Sequence, residues 1–215
     1  MKSVRLVTAV VVATVLFVTS ARANDRAEAE KQFRAGVSLQ KVEDFEAAIA
    51  AFEASLGLFP TKSALFNLAN CLRATHRYPE ALARFEQLES EYGPELTSAM
   101  RGQVDVQIAE LENLTATVTV EVDRDGAEVR VDGNLMGTSP LAQPVRLSLG
   151  DHRLEVSLDG FETASLGFNL KPRENVTRRI ALQELAPRPS EPAPAPVVSP
   201  PLAVVPAPIA PPAPA

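Results

Sequence analysis

Two stretches of the chain decide its fold class, DFEAAIAAF at residues 44–52 and RYPEALARF at residues 77–85. The second follows the first after 33 residues, and each holds a small residue at the same point, Ala48 and Ala81. Apolar residues in this part of the chain recur at the spacing of a helix that buries one face. This self-similarity indicates a repeated helical unit, of which two copies are readable in the sequence.

Gly36 is matched by Ala69 at the same spacing of 33 residues. The pattern resembles the tetratricopeptide repeat, a helix–turn–helix unit of about 34 residues. The resemblance implies that Gly36, Ala48, Ala69 and Ala81 lie where the two helices of a pair cross. It also implies that aromatic residues fill the space between pairs, namely Phe45, Phe52, Tyr78 and Phe85. The first unit departs from the pattern, because Gln32 stands where a large aromatic is usual.

Prolines mark the limits of the predicted helices. Pro60 ends the first unit, since the residue before a proline is pushed out of helical geometry. Pro79 fits the first turn of a helix, where its missing N–H costs nothing. Pro94 is predicted to open a fifth helix that caps the stack, with one apolar face of Leu96, Met100, Val104, Ile108 and Leu111. The sequence thus predicts a helical domain over residues 24–114.

Residues 115–185 have a different pattern, in which apolar and polar residues alternate. Ala116, Val118 and Val120 alternate with threonines, and turns such as Asp132-Gly133 and Asp159-Gly160 interrupt the later runs. Period-two alternation indicates strands with one buried face. We therefore expect a small antiparallel β-sandwich, and an α+β fold class for the whole chain.

The order of the turn motifs in this region resembles the PEGA domain. The signature position reads RDGA at 124–127, with its first two letters replaced, and the companion motifs are VRVDG at 129–133, GTSP at 137–140, GDHRLEV at 150–156 and Gly160-Phe161. The resemblance implies a transthyretin-like sandwich on a bacterial surface protein. It implies no catalytic role.

The N-terminal segment is predicted to be a signal peptide covering residues 1–23. Lys2 and Arg5 precede an apolar run at 6–18, and Ala21-Arg22-Ala23 offers the small residues that a signal peptidase requires. The apolar run is shorter than the roughly 20 residues of a membrane span. We expect an exported protein of the periplasm or cell envelope, without a membrane span in the mature chain.

Charge narrows the class of partner. Cleavage after Ala23 would leave 18 basic against 27 acidic side chains, a formal net charge of −9. This balance opposes binding to nucleic acid, which requires a basic surface. Residues 186–215 form a predicted disordered tail, since 12 of its residues are prolines. The sequence leaves open whether this tail leads to a membrane anchor.

No catalytic, cofactor or metal site is predicted. His76 and His152 lie far apart in the sequence and are interpreted as surface turn residues, while Cys71 is interpreted as a small core residue. The aspartates at 123–132 lack calcium-loop spacing, because Ala127 stands where a further oxygen ligand is required.

The candidate binding surface is the groove lined by the first helix of each pair. Amide and guanidinium groups there would hold the backbone or carboxylate of an extended peptide. Its predicted residues are Phe33, Arg34, Val37, Phe66, Asn67, Asn70 and Arg73. The sequence favours a non-catalytic scaffold or adaptor that binds a protein partner in the envelope. The alternative is a cell-wall or glycan binder that acts on peptidoglycan through the β domain, weakened by the lack of tryptophan.

Overall fold

The computed structural model describes residues 24–185, within which five α-helices precede seven β-strands. This order confirms the predicted α+β class. The predicted signal peptide and proline-rich tail lie outside the described residues. The helices are α1 at 24–41, α2 at Phe45–Leu58, α3 at Lys62–Ala74, α4 at Tyr78–Tyr92 and α5 at Ser98–Glu112, with a 3-10 turn at Gly93–Glu95.

The helix ends follow from local capping chemistry. The Asp44 side chain accepts a hydrogen bond from the first turn of α2, and Thr61 does the same for α3. Each bond satisfies one of the backbone N–H groups that a helix start leaves unpaired. Helix α2 ends two residues before Pro60, and Pro79 lies in the first turn of α4, as predicted.

The start of the fifth helix differs from the prediction, since Pro94 lies in the preceding 3-10 turn and not in α5. Thr97 caps α5 instead, with its side chain accepting a hydrogen bond from Met100 N at 3.3 Å. Proline fits the first turn of a 3-10 helix as well as that of an α-helix, so its position alone misplaced the boundary. The predicted apolar face is kept, with Leu96, Val104 and Leu111 buried.

Gly36 in α1 lies directly against the ring of Phe52 in α2. A Cβ at this position would lie 2.7 Å from the ring of Phe52, which is itself fully buried. The ring of Phe33 packs on Phe52 with centroids 5.7 Å apart. The other predicted small contacts, Ala48, Ala69 and Ala81, are also 0% exposed. All four small residues are therefore buried in the helical domain, and Gly36 lies at a close helix contact, as the resemblance implies.

The 33-residue spacing continues once more, to Gly102 in α5. A Cβ on Gly102 would meet nothing within 4 Å, in contrast to Gly36. After α5 the described chain enters strand β1, so no further helix follows α5 in residues 24–185. Helix α5 buries Val104 and Leu111 against the stack and exposes its opposite face, and it thereby closes the helical domain.

The β domain is a sandwich of two sheets around a second hydrophobic core. One sheet has the order β4-β1-β7 and the other the order β3-β2-β5-β6. Inward-facing Val118, Val129, Leu154 and Val156 are almost fully buried. The strands are β1 at Thr115–Val122, β2 at Glu128–Val131, β3 at Asn134–Thr138, β4 at Val145–Ser148, β5 at Gly150–Ser157, β6 at Ala164–Leu170 and β7 at Asn175–Ile180.

One strand pair corrects the prediction of a purely antiparallel sandwich. Strands β1 and β7 are parallel, with Val118 opposite Val176 and Val122 opposite Ile180. The other pairs are antiparallel. Side chains alternate with period two in either kind of pair, so the sequence pattern gives no information on direction.

Two ion pairs join the helical domain to the β domain. Nη1 of Arg146, in β4, lies 2.7 Å from Oε2 of Glu86 in α4. Nη2 of Arg173, in the turn between β6 and β7, lies 3.3 Å from Oε2 of Glu112 at the end of α5. The Thr115 hydroxyl donates to Leu111 O at 2.9 Å, so α5 passes into β1 with no flexible linker. The two cores remain separate clusters.

Candidate interaction surface on helices α1 and α3

The predicted groove residues occupy equivalent places on α1 and α3. Phe33 and Phe66 are 33 residues apart, as are Arg34 and Asn67. The Phe66 ring packs edge-on against Phe85 at 5.9 Å, as Phe33 packs against Phe52. The two phenylalanines therefore hold each helix pair together and contribute only part of their surface to a groove.

Val37 belongs with these apolar residues. It is half-buried against the helical core and occupies the place on α1 that Asn70 occupies on α3. Phe33, Val37 and Phe66 are thus all partly buried apolar residues that pack against the helical core. Directional contacts with a ligand would have to come from the polar residues on the same helices.

The amides of Asn67 and Asn70 both donate to their own helix. Nδ2 of Asn67 lies 2.9 Å from Ser63 O, and Nδ2 of Asn70 lies 2.8 Å from Phe66 O. Each side chain retains a second N–H and an acceptor oxygen for further bonds. The intrahelical bonds fix the orientation of both amides, which lowers the entropy cost of using them in recognition.

The two arginines of the surface differ in their surroundings. Arg34 is exposed and forms an ion pair with Glu30, one turn earlier in α1. Arg73 is exposed in the last turn of α3, where a cation is favoured by the helix dipole. Within residues 24–185 no carboxylate lies within 4.0 Å of Arg73. Arg73 is therefore better placed than Arg34 to pair with an acidic group on a ligand.

A cavity of about 360 Å³ opens at the N-terminal end of this surface. Phe33 lines it together with Arg26 and Phe59, and the guanidinium of Arg26 lies 5.5 Å from the centre of the Phe59 ring. The sequence pattern did not predict a role for Arg26 and Phe59 at this surface. The signal in the sequence was Phe59 directly before Pro60, at a position where the proline indicates that the helix has ended. In the structure Phe59 is 40% exposed.

In the β domain, Ser139 fixes the turn that carries the signature motif. Its hydroxyl accepts from Ala127 N at 2.9 Å and donates to Arg124 O at 2.6 Å. The Ser139 carbonyl also accepts from Gly126 N at 2.7 Å, and Gly126 has a φ of 80° that favours glycine. The motif residues therefore have a structural role in this turn.

The interpretation of His152 as a surface turn residue is wrong. His152 lies in β5 with a side chain only 10% exposed, Nδ1 2.6 Å from Asp132 and Nε2 2.9 Å from Ser148 O. Its place inside the strand puts the ring on the inner side of the sheet, beside Phe168. His76 is an exposed turn residue, as predicted.

Residues 24–185 contain no group of three His, Cys, Asp or Glu side chains arranged to hold a metal ion. Cys71 is fully buried, as expected, and burial raises the pKa of its thiol to about 11. A thiol with so high a pKa is a poor nucleophile at neutral pH.

Comparison with known families agrees with the β fold. Residues 115–186 match the family described as PEGA domain, and the match begins at the first residue of β1. The β domain is therefore a PEGA domain, a module typical of exported and surface-associated proteins. No curated protein matches the chain at a significant level. Among residues 24–185, no helix is long and apolar enough to cross a membrane.

Proposed function

We propose that this protein is a non-catalytic scaffold or adaptor of the periplasm or cell envelope. Its helical domain, a short tetratricopeptide-repeat stack, binds a protein partner through α1 and α3. The PEGA domain serves as a spacer or surface-binding module. The signal peptide at 1–23 delivers the protein to this compartment.

The contact between Gly36 and Phe52 is the observation that carries the repeat assignment. It places a residue without a side chain against a buried ring, and Ala69 and Ala81 lie fully buried in the next pair. Helix pairs stacked in this way expose the first helix of each pair on one side, where extended ligands bind in repeat proteins.

Asn70 and Arg73 are the residues best suited to hold a partner. Asn70 has an amide whose orientation is fixed by Phe66 O, and Arg73 is exposed with no carboxylate of residues 24–185 within 4.0 Å. An amide pairs with a peptide backbone, while a guanidinium pairs with a carboxylate through two parallel hydrogen bonds. A peptide segment with an acidic side chain or a free C-terminus suits this combination.

Glycan binding through the β domain is the weaker candidate. Sugar sites stack aromatic rings on the sugar, and the PEGA domain contains only Phe161 and Phe168. Arg124 lies over the first ring at 5.5 Å and Arg178 over the second at 5.4 Å. Both rings are thus already partly covered by a side chain of this protein.

Capture from envelope extract tests the proposal. We expect wild-type protein to retain a partner that the Asn70→Ala/Arg73→Ala variant loses, with unchanged helix content. Arg84→Ala/Gln87→Ala is the matched control, because these residues carry the same chemistry on α4. Sedimentation with purified peptidoglycan is the parallel assay. Co-sedimentation of the PEGA domain without any partner capture would favour the glycan-binding function instead.

A further inference from the structure

The two sheets of the PEGA domain have four edge strands, and three of them are protected against pairing with another chain. Strand β4 is only four residues long and lies beside α4. Strand β7 carries two charged residues, Arg178 and Arg179. The pairing of β3 with β2 is irregular, with a register shift at Val129/Arg130. Short length, charge and bulges are the usual means by which proteins prevent edge-to-edge association.

Strand β6 has none of these features. It spans Ala164–Leu170 with the sequence ASLGFNL, which contains no charged residue and no proline. Its register with β5 runs without interruption over seven residue pairs. In the described part of the chain β6 pairs only with β5, so the backbone groups on its other side have no strand partner within residues 24–185. A long, regular and uncharged edge of this kind is a template for another strand.

We infer that β6 pairs with the β6 strand of a second copy of this chain, antiparallel and centred on Gly167. The sequence of the strand is complementary to itself in this register. Leu166, which is 37% exposed, would lie opposite Phe168 of the second copy on the inner face. A leucine facing an aromatic residue is a favourable cross-strand pair.

The two-fold axis of such a dimer would pass through Gly167, and the space around this residue permits the arrangement. A Cβ on Gly167 would meet nothing within 4 Å, so the strand can be approached at its midpoint without a clash. On the outer face, Ser165 of one copy would face Asn169 of the other, and both are small and uncharged. The pairing joins two four-stranded sheets into one sheet of eight strands. Because the contact is a single strand pair and the chain is acidic, the dimer is weak and is strengthened by salt.

Sedimentation equilibrium of the chain 24–215 tests the pairing. We expect a monomer–dimer equilibrium that depends on concentration and shifts toward dimer at high salt. Leu166→Lys should raise the dissociation constant about tenfold or more. Leu135→Lys is the matched control, since Leu135 is an exposed leucine on edge strand β3. A monomer at every concentration, or a dimer that Leu135→Lys alone disrupts, would overturn the inference.

A cysteine at the axis provides a second measurement that does not depend on Leu166→Lys folding well. Antiparallel pairing places the two Gly167 Cα atoms about 4.5–5.5 Å apart, within the range of a disulfide. Oxidised Gly167→Cys should form a covalent dimer, while Leu135→Cys should not. Native Cys71 is fully buried and does not interfere. If Gly167→Cys dimerises only after truncation beyond Leu185, the tail and not a second copy occupies this edge, and the inference fails.

Discussion

Asp132 and His152 connect the turn between β2 and β3 to strand β5. Oδ2 of Asp132 lies 2.6 Å from Nδ1 of His152, and its Oδ1 accepts from Arg153 N at 2.8 Å. Burial acts to raise the pKa of Asp132, but the hydrogen bonds from His152 and Arg153 outweigh it, so the pKa lies below its usual value. The contact therefore stabilises the fold in the ionised form of Asp132.

We predict that Asp132→Asn lowers the free energy of unfolding most at neutral pH. A depressed pKa in the folded state gives stability that is present above the unfolded pKa and lost as pH falls through the folded pKa. The difference between wild type and Asp132→Asn should thus shrink in acid. Urea unfolding at a series of pH values measures it. Asp159→Asn, at an exposed turn, is the control, and a difference independent of pH would contradict the account.

Gly36→Ala should destabilise the helical domain by roughly 1–3 kcal/mol, because the added methyl group overlaps the buried Phe52 ring. Gly102→Ala is the matched control, since it lies at the equivalent place with open space around it. Alanine there should stabilise α5 by about 0.5–1 kcal/mol. Chemical unfolding followed by circular dichroism distinguishes the two, and equal stabilisation by both substitutions would show that the repeat register is wrong.

The same close contact predicts the effect of larger residues at the other crossing positions. Ala48→Leu and Ala81→Leu should each cost roughly 1–3 kcal/mol through overpacking. Since the two hydrophobic cores are separate, the PEGA domain should retain its own transition in thermal unfolding. Two variants that melt like the parent protein would be incompatible with burial of both alanines.

Ser139→Ala should destabilise the PEGA domain by about 1–3 kcal/mol. The substitution leaves the N–H of buried Ala127 without its acceptor and removes the bond to Arg124 O. Ser165→Ala is the control, because Ser165 is exposed and its hydroxyl makes a single hydrogen bond with the described residues, accepted from Arg153. Its effect should stay within about 0.5 kcal/mol. Equal effects of the two substitutions on urea unfolding would exclude the proposed role of Ser139.

The sequence predicted contacts that are set by spacing along the chain. Gly36, Ala48 and Ala69 recur with the repeat, so their burial follows once the helices are in register. The predicted start of α5 at Pro94 was wrong for a local reason. Thr97 is the capping residue, and threonine is a common N-cap, but Pro94 also fits the start of a helix.

Contacts that depend on tertiary register were not predictable in the same way. His152 forms a hydrogen bond with Asp132, 20 residues away in the sequence, and Ser139 forms one with Ala127, 12 residues away. Both contacts form only after β2 has paired with its neighbours in a particular register, and no periodic pattern records that choice. The parallel direction of the β1–β7 pair could not be predicted from the sequence for the same reason. The groove residues share one period, but the spacing does not specify which ligand they bind.

We propose that a protein partner binds along α1 and α3, and site-specific photo-crosslinking in the producing cell tests this binding most directly. A photoreactive residue replaces Asn70 in one variant and Glu53 in a second, control variant. Glu53 lies on α2 and faces α4. We predict a discrete partner adduct from position 70, diminished by Arg73→Ala, and none from position 53. Adducts of equal yield from both positions, or from position 53 alone, would contradict the account.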